Sequence, residues 1–303
     1  MSGSHDLPPY NQAQVEAYLS RISLPESGRP KDRLLYLSTL QKYHLTAVPF
    51  ENLSLHYSKG HTNSLNKDDL YEKIVIRRKG GYCFESNGFF GLMLRSLGFD
   101  IVSVGARVTL VNPVAGWDHH VNLVSIAGTT YLVDVAFGGS CPTRPMPLLD
   151  NHISSWGMTA AETRLTFQPP SNPIVQGLWA LEHRKSPSEK WTPCYTFAMT
   201  EFNPKDFEIM NYAVCTRKTS FWTYSIICMK MILDGGDIIG ILALEGGRLK
   251  RRIRAESKTL RECANEDDRV TVLNEYFGIQ LTNAERNAIL GTVTQLKGEF
   301  SAS

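Results

Sequence analysis

Lys79-Gly80-Gly81-Tyr82-Cys83-Phe84-Glu85-Ser86-Asn87 runs straight into a stretch where Phe89, Phe90, Met93, Leu94 and Leu97 recur at helical spacing before Gly98. The pattern predicts a helix whose N-terminus lies at Cys83 or just after it and which stops at a glycine. The glycine pair allows a close backbone approach closed to other residues. Cys83 then stands at a helix N-terminus, where unpaired N–H groups and the positive end of the dipole favour an anion. A thiol so placed is expected to fall below its reference pKa of about 8.5. Most free cysteines are small buried hydrophobes; this setting points instead to a thiolate nucleophile.

Downstream, Trp117-Asp118-His119-His120-Val121-Asn122-Leu123-Val124-Ser125-Ile126 and Thr130-Tyr131-Leu132-Val133-Asp134-Val135-Ala136-Phe137-Gly138-Gly139 flank Ala127-Gly128. Two apolar, β-branched runs around a glycine predict a hairpin. His119 opens its first strand and Asp134 closes its second. Cys83, His119 and Asp134 are thus ordered as a nucleophile, its base and the carboxylate that orients the base. His120 competes with His119, but neighbours on a strand point to opposite faces, so one of the two can meet the cysteine. Asp134 in an apolar strand is costly unless paired.

With these residues the chain resembles the arylamine N-acetyltransferases. That family's signature is an Arg-Gly-Gly-aromatic-Cys-aromatic-Glu-x-Asn segment, a His beginning a strand, and an aromatic-x-x-Asp-x-x-Phe/Ser-Gly segment with its Asp fifteen residues after the His. His119 and Asp134 have that spacing, which favours His119 over His120. Pro49-Phe50-Glu51-Asn52-Leu53 matches the family's Pro-Phe-Glu-Asn-Leu run, and the likeness continues through Asn211 to Trp222. The chain looks most like the fungal branch, in which acetyl-CoA or malonyl-CoA is the donor.

The resemblance implies an α+β fold of three domains around a cysteine-protease-like catalytic core: a helical bundle at 1–100 carrying Cys83, a β-barrel at 101–205 carrying His119 and Asp134, and an α/β lid at 206–303. It implies ping-pong transfer of an acetyl or malonyl group from coenzyme A to an aromatic amine through an acyl-cysteine. Phe50 and Phe137 would line the amine pocket. Gly138, Gly139, Thr216, Arg217, Lys218 and Ser220 would meet the coenzyme. A thiol hydrolase or transglutaminase-like enzyme would share the Cys-His-Asp set without the Pro-Phe-Glu-Asn-Leu and Thr216–Ser220 segments. Two positions depart from the pattern. Lys79 replaces the arginine before the glycine pair and cannot reproduce its bidentate pairing with a carboxylate such as Glu51, so Arg77 or Arg78 is expected to take that role. In Cys215-Thr216-Arg217-Lys218-Thr219-Ser220-Phe221-Trp222, lysine and tryptophan stand where the family has proline and phenylalanine.

Global properties are compatible with this reading. The chain has 303 residues, enough for two or three domains, with 42% hydrophobic and 20% charged residues and a formal charge of +2. That charge gives no electrostatic footprint for nucleic acid. Six cysteines at 83, 141, 194, 215, 228 and 263 form no metal spacing and are expected as reduced thiols. Met1 to Asp6 shows no secretory leader, and the apolar stretch Ile226–Leu244 is broken by Lys230, Asp234, Gly235-Gly236 and Asp237, so no membrane span is expected. A cytoplasmic protein is expected, with no metal, nucleic-acid or membrane partner; the sequence does not fix the oligomeric state, and a monomer is the default expectation.

Periodicity places helices on Val15-Tyr18-Leu19-Ile22 and Leu34-Leu37-Leu40-His44, and a short one after Asn66. Ile101–Val104 and Arg107–Leu110 read as two strands, and strands continue to about Tyr195. Ile238–Leu244 and Leu249–Ile253 read as strands before two closing helices, the last with a capping box at Thr282-Asn283-Ala284-Glu285. The basic run from Arg248 to Arg254 reads as a solvated face.

Overall fold

The computed structural model describes residues 8–110, 116–157 and 159–298; the N-terminal lead read at Met1 to Asp6 lies outside them. Four helices come first: α1 (Gln12–Arg21), α2 (Arg33–Ala47), α3 (Lys67–Tyr71) and α4 (Cys83–Ser96). Asn11, Asp32 and Asn66 cap the first three, each accepting a backbone N–H of the first turn. Tyr18 and Leu19 of α1, Leu37 and Leu40 of α2, and Phe89, Phe90, Met93 and Leu94 of α4 close one core. These are the apolar faces that periodicity identifies.

An eight-stranded antiparallel sheet follows, in the order β5-β4-β3-β2-β9-β8-β7-β6. Its strands are β2 (Asp100–Val108), β3 (His119–Ile126), β4 (Thr129–Val133), β5 (Met146–Pro147), β6 (His152–Ser155), β7 (Glu162–Gln168), β8 (Leu178–Arg184) and β9 (Thr192–Glu201). The sheet nearly closes into a barrel. The two strands expected at Ile101–Val104 and Arg107–Leu110 are one, β2, which ends at Val108 and runs through Gly105 beneath a ring. A Cβ there would lie 2.1 Å from Phe202, and the register against β9 shifts at this point.

The remaining chain forms α5 (Pro204–Thr216), β10 (Ile227–Asp234), β11 (Asp237–Glu245), β12 (Arg248–Ile253), β13 (Glu256–Glu262), α6 (Glu266–Phe277) and α7 (Asn283–Ala288). Strands β10 to β13 form an antiparallel meander. Its other edge is the two-residue strand β1 (Phe50–Glu51), which pairs Phe50 with Met229 and Glu51 with Cys228. The Pro-Phe-Glu-Asn-Leu segment is therefore built into the C-terminal sheet, although it lies among the first helices in the chain. Asn52 continues the link, its amide donating to the carbonyls of Trp222 and Ser225. Tyr57 donates to Glu266, which is held by Arg269, and all three are buried. The capping box expected at Thr282 is present on α7. On β12, Arg248 pairs with Glu262 and Lys250 with Glu245, both on the solvent side. Among the described residues no helix is long and apolar enough to cross a membrane.

The segment before Cys83 turns sharply. After α3 the chain makes a π-helical turn, Glu72–Ile76, and Arg78 adopts a left-handed φ of 54°. The buried Arg21 reaches from α1 to donate to the carbonyls of Ile74 and Arg78. Gly80 then runs against Pro49, whose carbonyl oxygen would lie 1.7 Å from an added Cβ. Backbone, not a flexible side chain, fills that space. Gly80→Ala should therefore cost about 3 kcal/mol or more, read by urea denaturation. Gly98→Ala, at φ 73° in open space, should cost about 1 kcal/mol. Equal losses at the two positions would refute the steric account.

Candidate active site

Cys83 is the first residue of α4, buried beneath the N-terminal turn. Tyr82 precedes it, and the Tyr82 N–H donates to Glu85 Oε2 at 3.3 Å, so the third helical residue caps the turn. By its place in the helix the Cys83 N–H has no intrahelical acceptor. The Cys83 Sγ lies 3.8 Å from the carbonyl oxygen of Asp118, one residue before His119.

Strand β3 carries His119 and His120 to opposite faces, as alternation requires. His119 faces the barrel interior. Its Nε2 is 2.8 Å from Asp134 Oδ2, and its ring packs on Phe137 and Tyr195 with centroids 5.2 and 4.9 Å away. The remaining nitrogen, Nδ1, is not taken by Asp134, and Cys83 lies close enough to add to the rise of the imidazole pKa. The three residues expected to act together therefore meet. His120 lies flat on Phe207 of α5, with centroids 3.8 Å apart and planes 15° apart. Neither of its ring nitrogens makes a well-formed hydrogen bond among the described residues. Burial, reinforced by the neighbouring charge of His119, pushes its pKa down to about 3, so it stays neutral.

Asp134 is fully buried yet has three donors. Oδ2 takes His119; Oδ1 takes the Asn87 amide at 2.8 Å and the Ala136 N–H at 2.8 Å. Burial alone would raise this carboxyl, but the charge of His119 and these hydrogen bonds outweigh it, and its pKa falls below the ordinary value. Burial likewise opposes a charge on His119, and the facing Asp134 carboxylate overcomes it and raises the imidazole. The backbone is held as well. Gln41 of α2 donates to the carbonyls of Asp134 and Pro142, each at 3.0 Å.

The pairing expected around Glu51 takes a different form. Neither Arg77 nor Arg78 meets it. Lys73, on the π-helical turn, lies 3.2 Å from Glu51 and 2.7 Å from Glu85 and serves both buried carboxylates. Burial raises the Glu85 carboxyl against the pull of Lys73. Lys79, itself buried, turns away from Glu51 and, with Arg77, grips Glu285 of α7 at 2.5 and 2.7 Å. The wide π turn is what lets Lys73 face inward, a feature the sequence does not announce.

Among the remaining expected residues, Phe50 packs edge-on against Trp222 at 5.7 Å, and Trp222 packs edge-on against Tyr82 at 5.6 Å. With Phe137 on His119, this sets aromatic faces around the thiol. Gly138 (φ 57°) and Gly139 open a short 3₁₀ turn, and a Cβ on Gly138 would meet Phe50 and Met229 at 3.5 Å. Thr216 ends α5 with its hydroxyl donating to the Tyr212 carbonyl; Arg217 and Lys218 are exposed, and Ser220 immediately precedes the 3₁₀ turn Phe221–Thr223 without a side-chain capping bond. Thr216 also lines a cleft of about 320 Å³ with His56, His61, Thr223 and Thr292. Gly138, Gly139 and Ser220 are not among its lining residues. Lys73, Asn87 and Gln41 were not singled out from sequence. Asn87 alone carried a signal, one helical turn after Cys83 in the signature.

The Asp134–His119 pair makes stability depend on pH. A carboxyl with a lowered folded pKa contributes fully above its unfolded value near 3.9, and the contribution is lost as pH falls through the folded value. An imidazole with a raised folded pKa contributes fully below about 6.5, and that is lost as pH rises through the folded value. The stability gap between the wild type and Asp134→Asn should thus be widest from about pH 4 to 6.5, on the order of 3–5 kcal/mol, and narrow on both sides. A gap in urea unfolding that keeps growing above pH 7 would contradict the charged pair.

Comparison with known proteins places this geometry. The N-acetyltransferase family model matches residues 33–286. The N-malonyltransferase FDB2 of Fusarium pseudograminearum (strain CS3096) is 36% identical over an alignment of 322 positions, gaps included, that covers 94% of each chain. The arylamine N-acetyltransferase, liver isozyme, of Gallus gallus is 36% identical over 291, covering 89% of this chain and 96% of its own. Among solved structures, the arylamine N-acetyltransferase from Salmonella typhimurium superposes with a TM-score of 0.80 at 27% identity, covering 92% of this chain and 98% of that one. That of Mycobacterium marinum, solved in complex with CoA, gives 0.76 at 26%, covering 93% and 99%.

Proposed function

This chain belongs to the arylamine N-acetyltransferase family, and on that premise we propose that Cys83, His119 and Asp134 are the catalytic triad of an acyl-CoA:arylamine N-acyltransferase. The observation that carries the assignment is the 2.8 Å contact between His119 Nε2 and a fully buried Asp134, which leaves Nδ1 for the thiol at the head of α4.

The chemistry follows from that arrangement. His119 Nδ1 takes the Cys83 proton, and the imidazolium is held by Asp134. The thiolate adds to the thioester carbonyl of acyl-CoA; the carbon–sulfur bond to the coenzyme breaks, and free CoA leaves with the proton from His119. The acyl-cysteine is again a thioester, so it keeps its acyl-transfer potential. An aromatic amine, weakly basic and unprotonated near neutrality, attacks the same carbonyl, His119 takes its proton, and Cys83 is released. The Cys83 N–H, free of an intrahelical partner, supports the developing oxyanion.

The donor is an acetyl or malonyl thioester; relatives of both kinds occur at 36% identity. Phe50 and Phe137 are read as faces of the amine pocket. Gly138, Gly139, Thr216, Arg217, Lys218 and Ser220 are read as coenzyme contacts, supported for Thr216 by its place in the 320 Å³ cleft. The three-domain division at 1–100, 101–205 and 206–303 belongs to the same reading, as does a cytoplasmic monomer with no nucleic-acid or membrane partner. The thiol-hydrolase alternative shares the triad, but the chain's relatives are N-acyltransferases.

Incubation with acetyl-CoA or malonyl-CoA alone should add one acyl group by intact mass, and Cys83→Ala should abolish both that adduct and turnover. Triad deletions cost several powers of ten, so retained turnover above about one per cent would refute the nucleophile.

Donor choice has a separate test. A malonyl carboxylate must be desolvated in the site, which costs several kcal/mol unless a cation or strong donor meets it. Arg217→Ala or Lys218→Ala should lower malonyl transfer at least tenfold, about 1.4 kcal/mol, and acetyl transfer less. Equal losses would assign the two cations to the coenzyme phosphates.

A further inference from the structure

Asn87 bonds to the triad's carboxylate and to the backbone beside both Asp134 and His119. It sits four residues after Cys83, on the same side of α4. Its Nδ2 donates to the carbonyl of His120 at 2.6 Å and to Asp134 Oδ1 at 2.8 Å, while its Oδ1 accepts the Val135 N–H at 2.9 Å. The backbone N–H at Val135 can only donate, so the orientation of the amide is fixed and the nitrogen must face Asp134. The Asn87 carbonyl in turn accepts the amide of Asn122 at 2.8 Å, and Asn122 accepts the hydroxyl of Ser103 at 3.0 Å. Asn87, Asn122 and Asp134 are all buried.

We propose that Asn87 is the positioning residue of this active site: it sets the orientation and ionisation of Asp134, and ties them to the helix that carries the nucleophile. This rests on the triad reading above. Without the amide, Asp134 Oδ1 would keep the Ala136 N–H alone, and the carboxylate could rotate away from His119. Because Asn87 is one turn from Cys83, the same rigid helix sets the thiol and aims the carboxylate that aims its base.

The inference separates from a merely structural role by pH. Asn87→Asp has nearly the same shape but faces Asp134 with a second carboxyl in a dry site. Like charges at that distance cannot both ionise, so the two share one proton and the pair's upper apparent pKa rises. While the proton is held, residue 87 still donates to Asp134. Once it is lost, repulsion pushes Asp134 from His119. The other titratable groups around Asp134 are His119 and neutral His120 on β3, Cys194 and Tyr195 on β9, and Cys141 in the following loop. Burial raises the last three above their ordinary values, so they stay neutral across the range tested.

The experiment follows the burst of p-nitrophenol from p-nitrophenyl acetate, which reports acylation without coenzyme A, from pH 5.5 to 8.5. Asn87→Asp should stay within about threefold of the wild type at pH 5.5 and fall at least tenfold below it by pH 8. Asn87→Ala, which can never donate, should be at least tenfold slower at every pH. Thermal melts identify the folded variants; if Asn87→Asp does not fold, the same comparison is made with Asn87→Ser, whose shorter side chain has one proton to donate where the amide donates to both His120 and Asp134, and should lose activity evenly with pH to a level between the wild type and Asn87→Ala. A loss in Asn87→Asp that is uniform across pH, or wild-type rates in all the variants, overturns the proposal. Cys83→Ala separates the two readings: a burst that survives in it refutes the nucleophile, whereas a burst lost there and intact in the Asn87 variants refutes only the role of Asn87.

Discussion

A carboxylate placed in an apolar interior must be met by donors or it will not ionise, and the fold around Asp134 is arranged to meet it. Its donors come from three places: an imidazole on β3, an amide on α4, and the backbone just beyond β4. Each supports a charge that burial would otherwise suppress. Because the donors lie far apart in the chain, the carboxylate can be buried and keep its charge only when helix, hairpin and following loop are docked.

A second set of buried charges holds the turn that presents Cys83. Lys73 lies between Glu51 and Glu85, so one cation faces two carboxylates, with the excess acid carried by the raised Glu85. Glu51 belongs to the strand that edges the C-terminal sheet and Glu85 to the helix bearing the thiol. The cluster thus joins the first and last parts of the chain behind the nucleophile. Lys79 and Arg77 extend this outward to Glu285 on α7. The change from arginine to lysine before the glycine pair is accommodated because another lysine, carried inward by a π-helical turn, supplies the internal charge.

The two histidines show how strand geometry assigns chemistry. They are adjacent in sequence and both buried, yet one faces Asp134 and becomes easier to protonate, while the other stacks on Phe207 and becomes harder. Desolvation acts on both in the same direction. The facing carboxylate is the difference, and alternation along β3 decides which ring receives it.

Much of this was legible from residue order. The helix at Cys83, its glycine stop, the hairpin holding His119 and Asp134, and the caps at Asn66 and Thr282 are local patterns, and local sterics and hydrogen bonding set them within a few residues. The fifteen-residue interval between His119 and Asp134 works the same way, because a tight hairpin leaves little freedom in register. What tertiary structure alone decided are the partners drawn from distant segments: Lys73 in place of Arg77 or Arg78 at Glu51, Gln41 beneath the Asp134 carbonyl, Phe207 over His120, and Phe50–Glu51 as the edge of a sheet whose other strands begin at residue 227. Spacing along the chain carries no information about which buried charge or ring will lie across an interface. That depends on how whole elements dock, and docking is set by the sum of many apolar contacts that no single motif records.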